Sequence, residues 1–217
     1  DPDGYGGSID VYAGFGDVSI SGTVFATGGT GADSSCGDGG SLSIYAGLTA
    51  SLTGAVTLNG GTDCSGGSVD VFAATGFTQA VGADVAMHAA GSFGSGGDFS
   101  VESSGDVVVR NVDATAPGFG GSVELLSHGG RVVFQGTLDT RGTGTGSSPG
   151  AIDVTGCKLN VAAGARLDAR GDVAVPSSGT VVLRASDQMN VAGTLAATVK
   201  NELRVRSGQP TVSGSVT

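Results

Sequence analysis

Apolar and polar residues alternate in short blocks along the whole chain, and each block follows a glycine. The first block is Ile9-Asp10-Val11, after Gly7. Alternation with a period of two places the outer side chains on one face and the middle one on the other, which is typical of a short β-strand. The preceding glycines recur at intervals of 33, 27, 30, 24, 29 and 29 residues, at Gly7, Gly40, Gly67, Gly97, Gly121, Gly150 and Gly179.

Each interval contains the pattern of further strands. A second alternating pair follows the first block in most steps, as in Val18/Ile20 and Val132/Phe134. A corner residue and a third strand, centred on one apolar residue such as Val24, come next. The corner is glycine in six steps and Asn111 in the fourth. Because glycine and asparagine are the residues that most readily adopt positive φ, we predict positive φ at every corner, including Asn111.

Three short strands per step, joined by glycine corners, describe one coil of a parallel β-helix. A single coil cannot bury its inward side chains, but stacked coils bury them in continuous columns. We therefore predict an all-β fold, a β-solenoid of about seven to eight coils that forms one domain over residues 1–217. At about 4.8 Å per coil its length is roughly 38 Å. A β-sandwich of glycine-rich strands is the alternative fold.

The composition supports a folded chain and excludes several classes. Apolar residues make up 39% of the 217 residues and the mean hydropathy is +0.19, which argues against disorder. With 42 Gly, 5 Pro and no Gly-X-Y period, the chain is not collagen. No run of 18 apolar residues is present, so no membrane span is predicted.

Charge is distributed unevenly between the two halves. Residues 1–109 contain twelve acidic side chains and no Lys or Arg, whereas residues 110–217 contain ten basic and eight acidic ones. The halves therefore carry about −12 and +2, which together give the net charge of −10. An acidic chain without a basic patch is a poor match for nucleic acid.

The repeats GGSIDVYA (6–13) and GDVSISGTV (16–24) resemble the glycine-rich parallel β-helices of bacterial surface and secreted proteins, including haemagglutinin-like adhesins. The pattern covers nearly the whole chain, but it indicates only the shape of the coils and does not identify a ligand. This resemblance implies a right-handed helix and an extracellular or cell-surface location. It supplies no catalytic residue, because that family has no catalytic motif to transfer.

The three cysteines predict one bridge and one buried thiol. Cys36 and Cys64 fall in the same long loop of adjacent coils, so stacking brings them together; two free thiols are the alternative. A disulfide here would place the protein outside the reducing cytosol. Cys157 has the same parity as Leu159 and Val161, which predicts a thiol buried in the core.

The outward position of the first strand predicts a partly acidic column. Its members are Asp10, Ser43, Asp70, Ser100, Glu124, Asp153 and Val182. A carboxylate column resembles the calcium site of β-helix polysaccharide lyases, but intervening serines also reduce repulsion on a merely solvated face. The scarcity of Lys and the absence of Trp disfavour a polysaccharide-active enzyme. We assign no cofactor, catalytic residue or metal ligand.

Two weaker candidates for chemistry remain in the loops. Asp33, Asp38 and Asp63 leave weak calcium binding through loop oxygens as an open alternative. His88 and His128 stand in different steps without a nucleophile at a recognisable spacing, so we expect surface histidines.

The two ends of the helix suggest a function. An open β-helix has two unpaired edges, and each can pair with another chain. Acidic residues cluster at one end and basic residues at the other, which favours a head-to-tail contact that grows into a filament. These candidate interface residues are Asp1, Asp3 and Asp10 at one end and Arg184, Lys200, Arg204 and Arg206 at the other.

The leading hypothesis is thus a secreted, non-enzymatic structural protein whose partner is a second copy of itself. One alternative is a segment of a larger cell-surface adhesin, for which a surface glycan is a further candidate partner. The second alternative is a polysaccharide-active β-helix enzyme.

Overall fold

The fold is a stack of short parallel strands. In a computed structural model, residues 4–29, 36–172 and 179–217 are described, and they form 22 β-strands and no helix. Each strand pairs in parallel with the equivalent strand one step along the chain. The predicted all-β parallel β-solenoid is therefore confirmed.

The first face carries the alternating blocks that open each step. Its strands are β1 (Ser8–Ala13), β4 (Ser41–Ala46), β7 (Ser68–Ala73), β10 (Asp98–Ser103), β13 (Ser122–Ser127), the first part of β16 (Ala151–Val161), the first part of β18 (Thr180–Val191) and β20 (Lys200–Val205).

The second face continues the same sheet, because β16 and β18 run unbroken from the first face into the second. Its other strands are β2 (Val18–Ile20), β5 (Thr49–Leu52), β8 (Gly76–Gln79), β11 (Asp106–Val109), β14 (Arg131–Phe134) and β21 (Thr211–Val212).

The third face is a separate sheet of eight strands. The eight strands mark eight levels, of which the first and last are edges. Six turns are therefore enclosed between neighbours on both sides, slightly fewer than the seven to eight coils predicted. The strands are β3 (Val24–Phe25), β6 (Val56–Thr57), β9 (Val85–Ala86), β12 (Val112–Asp113), β15 (Thr137–Asp139), β17 (Arg166–Ala169), β19 (Thr194–Ala197) and β22 (Ser215–Val216).

The core consists of columns of inward side chains at equivalent positions of successive coils. Each fully buried aliphatic or aromatic side chain stabilises the fold by about 1.5–3 kcal/mol. The column that starts at Ile9, whose own side chain is partly exposed at the end of the stack, continues through Leu42, Val69, Phe99, Val123, Ile152 and Val181, all buried.

The corner glycines differ from the prediction. Positive φ occurs at the corners Gly82 (79°) and Gly164 (84°), but Asp63 is the one non-glycine residue of the described chain with positive φ, so the prediction for Asn111 was wrong. Asn111 instead bonds its neighbours in the stack: its Nδ2 donates to Asp84 Oδ1 at 2.8 Å. At Gly136 a Cβ would lie 2.3 Å from Asn111 Oδ1. Close stacking therefore explains the glycine there.

The second strand of the third coil, β8, escaped the alternation pattern because the second of its two inward residues, Gln79, is polar, whereas the first, Phe77, is apolar. Gln79 is fully buried in a column with Leu52. Its Nε2 donates to the carbonyls of Ala83 (2.6 Å) and Asn111 (2.8 Å), and its Oε1 accepts from the Arg110 amide at 2.9 Å. These bonds satisfy the amide, which is what a buried polar side chain requires.

Cys157 is half-buried at a corner, so the predicted core thiol was wrong. The pairing of β16 with β18 shifts register between Gly156 and Lys158. Inward positions therefore change parity, from Val154 and Gly156 before the shift to Leu159 after it. Counting in steps of two back from Leu159 ignores this shift, and it therefore assigned the Cys157 side chain to the interior incorrectly.

Candidate functional site

The predicted disulfide joins Cys36 and Cys64, whose Cα atoms are 5.8 Å apart. The two cysteines lie in the loops that lead from the third face to the first in adjacent coils. Asp38 reinforces this contact, because its Oδ1 accepts the Ser65 amide at 2.8 Å. Disulfides of this kind persist in oxidising environments, which agrees with a location outside the reducing cytosol.

At one end of the stack, β1 has a free edge in the described chain. The carbonyls of Gly7 and Ala13 accept bonds from the next coil. Since parallel strands bond through alternate residues, the backbone groups of Ser8, Asp10 and Tyr12 face away from the stack. Asp10 is exposed, whereas Asp1 and Asp3 lie outside the described residues.

At the other end, β20, β21 and β22 form the edge. The amides of Lys200 and Arg206 donate to the preceding coil, at Gly179 O (3.1 Å) and Ala185 O (2.9 Å). By the same alternation, the backbone groups of Asn201, Leu203 and Val205 face outward along the stack. Inward apolar side chains are incompletely covered here: Leu203 and Val205 are half-buried, and Val212 and Val216 are exposed.

Three of the four predicted interface cations have acidic partners within the chain. Lys200 and Arg204 both contact Glu202, which lies between them on β20, and Arg184 contacts Asp153. Arg206 makes no ion pair with the described residues. The basic end is therefore a cluster of alternating charge rather than a row of free cations.

The acidic column of the first face has the predicted register. Asp10, Ser43, Asp70, Ser100, Glu124, Asp153 and Val182 are aligned one above another, and Glu202 extends the column. Arg184 compensates Asp153, whereas Asp10 and Asp70 have no hydrogen bond or ion pair to the part of the chain that the structure describes.

The candidate calcium ligands of the loops bind backbone amides instead. Asp63 Oδ1 accepts the Phe93 amide at 2.8 Å, and Asp38 is engaged with Ser65 as above. Asp33 lies outside the described residues. Among residues 4–29, 36–172 and 179–217, no group of three or more His, Cys, Asp or Glu side chains is arranged to hold a metal ion.

A charge network on the third face was not anticipated from the sequence. Asp168 is nearly fully buried, with 1% of its side chain exposed, yet it bonds Arg166 Nε at 2.9 Å and Arg170 Nε at 2.8 Å. Arg141 bonds Asp139 at 2.9 Å and lies 3.7 Å from Asp168. Burial raises the pKa of Asp168, but the bonds from Arg170 and Arg166 outweigh it and hold this pKa below its usual value.

Both histidines pair with carboxylates at the surface. His128 Nε2 lies 2.8 Å from Glu102 Oε1, and His88 Nδ1 lies 3.8 Å from Asp113 Oδ2. All four side chains are about half exposed. These contacts agree with the expected surface position of the histidines.

An exposed row of aromatic side chains runs along the first face, and sequence reasoning missed it. Tyr12, Tyr45 and Phe72 occupy the same position of β1, β4 and β7, and we call them the aromatic ladder. They are 80%, 48% and 45% exposed. The signal was present, since each follows an alternating block at an outward position, two residues after the acidic column.

Within its described ranges the chain has no helix of the length and apolar character that a membrane crossing requires. Comparison with protein-family models, with curated proteins and with solved structures finds no match to this chain.

Proposed function

We propose that this protein is a non-enzymatic structural subunit, which stacks head to tail with copies of itself into an extracellular filament. The observation that carries the proposal is the match between the two ends. Continuing the register of the solenoid across a junction places β20 of one copy beside β1 of the next.

The apolar columns continue across such a junction. In most columns the last apolar side chain of one copy would meet the first apolar side chain of the next, so that side chains left partly exposed at both ends become buried. The column of Ile9 is the exception, because it ends at the polar Asn201. Removal of apolar surface from water is the main favourable term in such an association. The pairs are Leu203 with Val11, Val205 with Ala13, Val212 with Ile20 and Val216 with Val24.

The backbone groups also match. Within the stack, the Ser41 amide donates to Gly7 O and the Lys200 amide to Gly179 O. The same relation across the junction directs the Ser8 amide of the next copy at Val199 O. Each free edge can thus pair with the other. Such pairing usually makes an exposed edge strand prone to aggregation, and here we propose that it drives assembly.

The charges favour this orientation over the reverse. Asp10 of the next copy enters beside Glu202, between Lys200 and Arg204, which gives a cluster of two carboxylates and two cations. A contact between two β1 ends brings together acidic surfaces with no basic residue among positions 1–109. Exposed ion pairs contribute roughly 0–1 kcal/mol each, so they select the orientation while the apolar columns supply most of the affinity.

Asn201→Pro tests the junction without changing a charge. The Asn201 amide faces the free edge, so proline removes a donor from the junction and leaves the bonds to β18 intact. We expect wild-type protein to sediment as polymer and Asn201→Pro to sediment as monomer with nearly unchanged thermal stability. Asn201→Ala is the matched control, because it also loses the side-chain bond to Thr217 O but keeps the amide.

Two results would contradict edge pairing. One is an Asn201→Pro variant that polymerises as the wild type does. The other is wild-type protein that stays monomeric at every salt and protein concentration. The second result would favour the adhesin alternative, in which further coils of a longer chain cover the same edges.

A further inference from the structure

We infer that the aromatic ladder binds a polysaccharide free of acidic groups. The inference concerns the outer surface of the first face and does not depend on filament assembly. Three large aromatic side chains are exposed to solvent on three successive coils.

The ladder presents ring faces rather than a closed stack. The ring centroids of Tyr12 and Tyr45 are 6.5 Å apart and the ring planes are inclined by 46°. Flat stacking would hide one ring against the next, whereas this inclination leaves ring surface available to a ligand. Aromatic side chains of this kind combine a large apolar face with, in tyrosine, a polar tip.

Acceptor groups lie directly beside the rings. A cavity of about 200 Å³ is lined by Tyr45, Asp70, Phe72, Ser100 and Glu102. Asp70 is exposed and makes no hydrogen bond or ion pair with the described residues, so both of its carboxylate oxygens are open to a donor. Glu102 is oriented by His128 at 2.8 Å.

This combination matches the two surfaces of a sugar. The faces of a sugar ring carry C–H groups that pack on aromatic rings, and its edges carry hydroxyls that donate to carboxylates. Few convergent polar groups beside an apolar surface are the general form of a binding site. The strands that carry the rings are about 4.8 Å apart, and the ring centroids of Tyr12 and Tyr45 are 6.5 Å apart, so the ladder can contact successive units of an extended chain.

The local charge selects against acidic sugars. The half of the chain that contains the ladder has no Lys or Arg, and Asp10 and Asp70 flank the rings. The nearest basic residue in the column of the ladder is Arg184, four strands beyond Phe72 or about 19 Å away. A uronic acid or sulfate group would meet carboxylates without a compensating cation.

Affinity electrophoresis tests this inference with gels that contain neutral mannan, neutral β-glucan or polygalacturonate. The Asn201→Pro background removes the junction donor, so that failed glycan binding and failed filament assembly are observed separately. We expect retardation by at least one neutral polysaccharide and none by polygalacturonate. Tyr45→Ala/Phe72→Ala should weaken the binding at least tenfold.

Phe93→Ala/Phe119→Ala is the matched control, because it removes two exposed aromatic side chains outside the ladder and should leave retardation unchanged. A second readout is tyrosine emission, since the chain has no Trp and two of its three Tyr lie in the ladder. Neutral oligosaccharide should change this emission saturably in the parent protein.

Three results would overturn the inference. They are retardation by polygalacturonate alone, no retardation by either neutral polysaccharide, and equal retardation of the parent and the Tyr45→Ala/Phe72→Ala variant. If a second protein copy covers the ladder instead, the parent and the Tyr45→Ala/Phe72→Ala variant should be retarded equally, and the variant should sediment more slowly than the parent.

Discussion

At the scale of single residues, the most demanding environment in the described chain is that of Asp168. A carboxylate removed from water is costly unless it is paired and hydrogen-bonded. Arg166 and Arg170 provide those bonds from positions two residues before and after Asp168, and both guanidinium groups remain partly exposed. The network therefore stabilises the coil that contains Asp168, and Arg141 of the preceding coil, 3.7 Å from Asp168, extends it to the neighbouring level.

Replacing Asp168 by Asn tests this assignment through stability. The variant loses charge-assisted bonds to two arginines, so we expect the free energy of unfolding to fall by about 2 kcal/mol at neutral pH. Asp187→Asn is the control, because it removes one exposed pair with Lys158 at 3.5 Å and should cost under about 0.5 kcal/mol. Chemical denaturation measures both values.

The difference in unfolding free energy between the wild type and Asp168→Asn should depend on pH in a defined direction. The pKa of Asp168 is lower in the folded state than its ordinary value of about 3.9, so its contribution is complete above that value. It decreases as the pH falls through 3.9 towards the folded pKa. The difference between wild type and Asp168→Asn should hence be constant above about pH 5 and shrink in acid; a difference that grows in acid would refute the assignment.

At the scale of elements, the disulfide joins the loops that lead from the third face to the first in two neighbouring coils. Cys36 and Cys64 are separated by 28 residues, which is about one coil. The bridge therefore closes a loop of about one coil in the unfolded chain, which reduces its conformational freedom, and it holds neighbouring coils in register in the folded state.

Cys64→Ser should lower the free energy of unfolding by about 2–4 kcal/mol, because the unfolded state regains the freedom of the open loop. Cys157→Ser is the control: it removes a half-buried free thiol and should change stability little. Reducing agent should destabilise the wild type and leave Cys64→Ser unaffected. A wild type insensitive to reduction would show that the bridge contributes nothing.

The elements also show what the sequence permits one to predict. Alternating blocks such as Ile9-Asp10-Val11 identify strands correctly because one face of the sheet is buried and the other is exposed to solvent. The rule fails where a polar side chain is buried with internal partners, as at Gln79, or where a register shift reverses parity, as at Cys157. The aromatic ladder was predictable from the same alternation, but only once the register aligned Tyr12, Tyr45 and Phe72.

At the scale of the whole molecule, the solenoid is a one-dimensional stack in which each coil contacts its neighbours. Its interior levels satisfy their backbone and apolar groups, whereas within residues 4–29, 36–172 and 179–217 the outer edges of β1 and of β20–β22 lack partners for both. In the proposed filament the apolar columns of the two ends meet, and the acidic β1 end faces the cluster of Lys200, Glu202 and Arg204, so that another copy of the chain is the proposed partner of each end.

Electron cryo-microscopy of the purified chain tests this proposal most directly. We expect unbranched filaments one solenoid wide, with strands spaced about 4.8 Å along the axis and a subunit repeat of about 38 Å for eight levels. Continuous density from β20 of one copy to β1 of the next, with Val11 beside Leu203, is the predicted result. Dispersed single rods, or filaments in which copies associate side by side with both ends free, would contradict it.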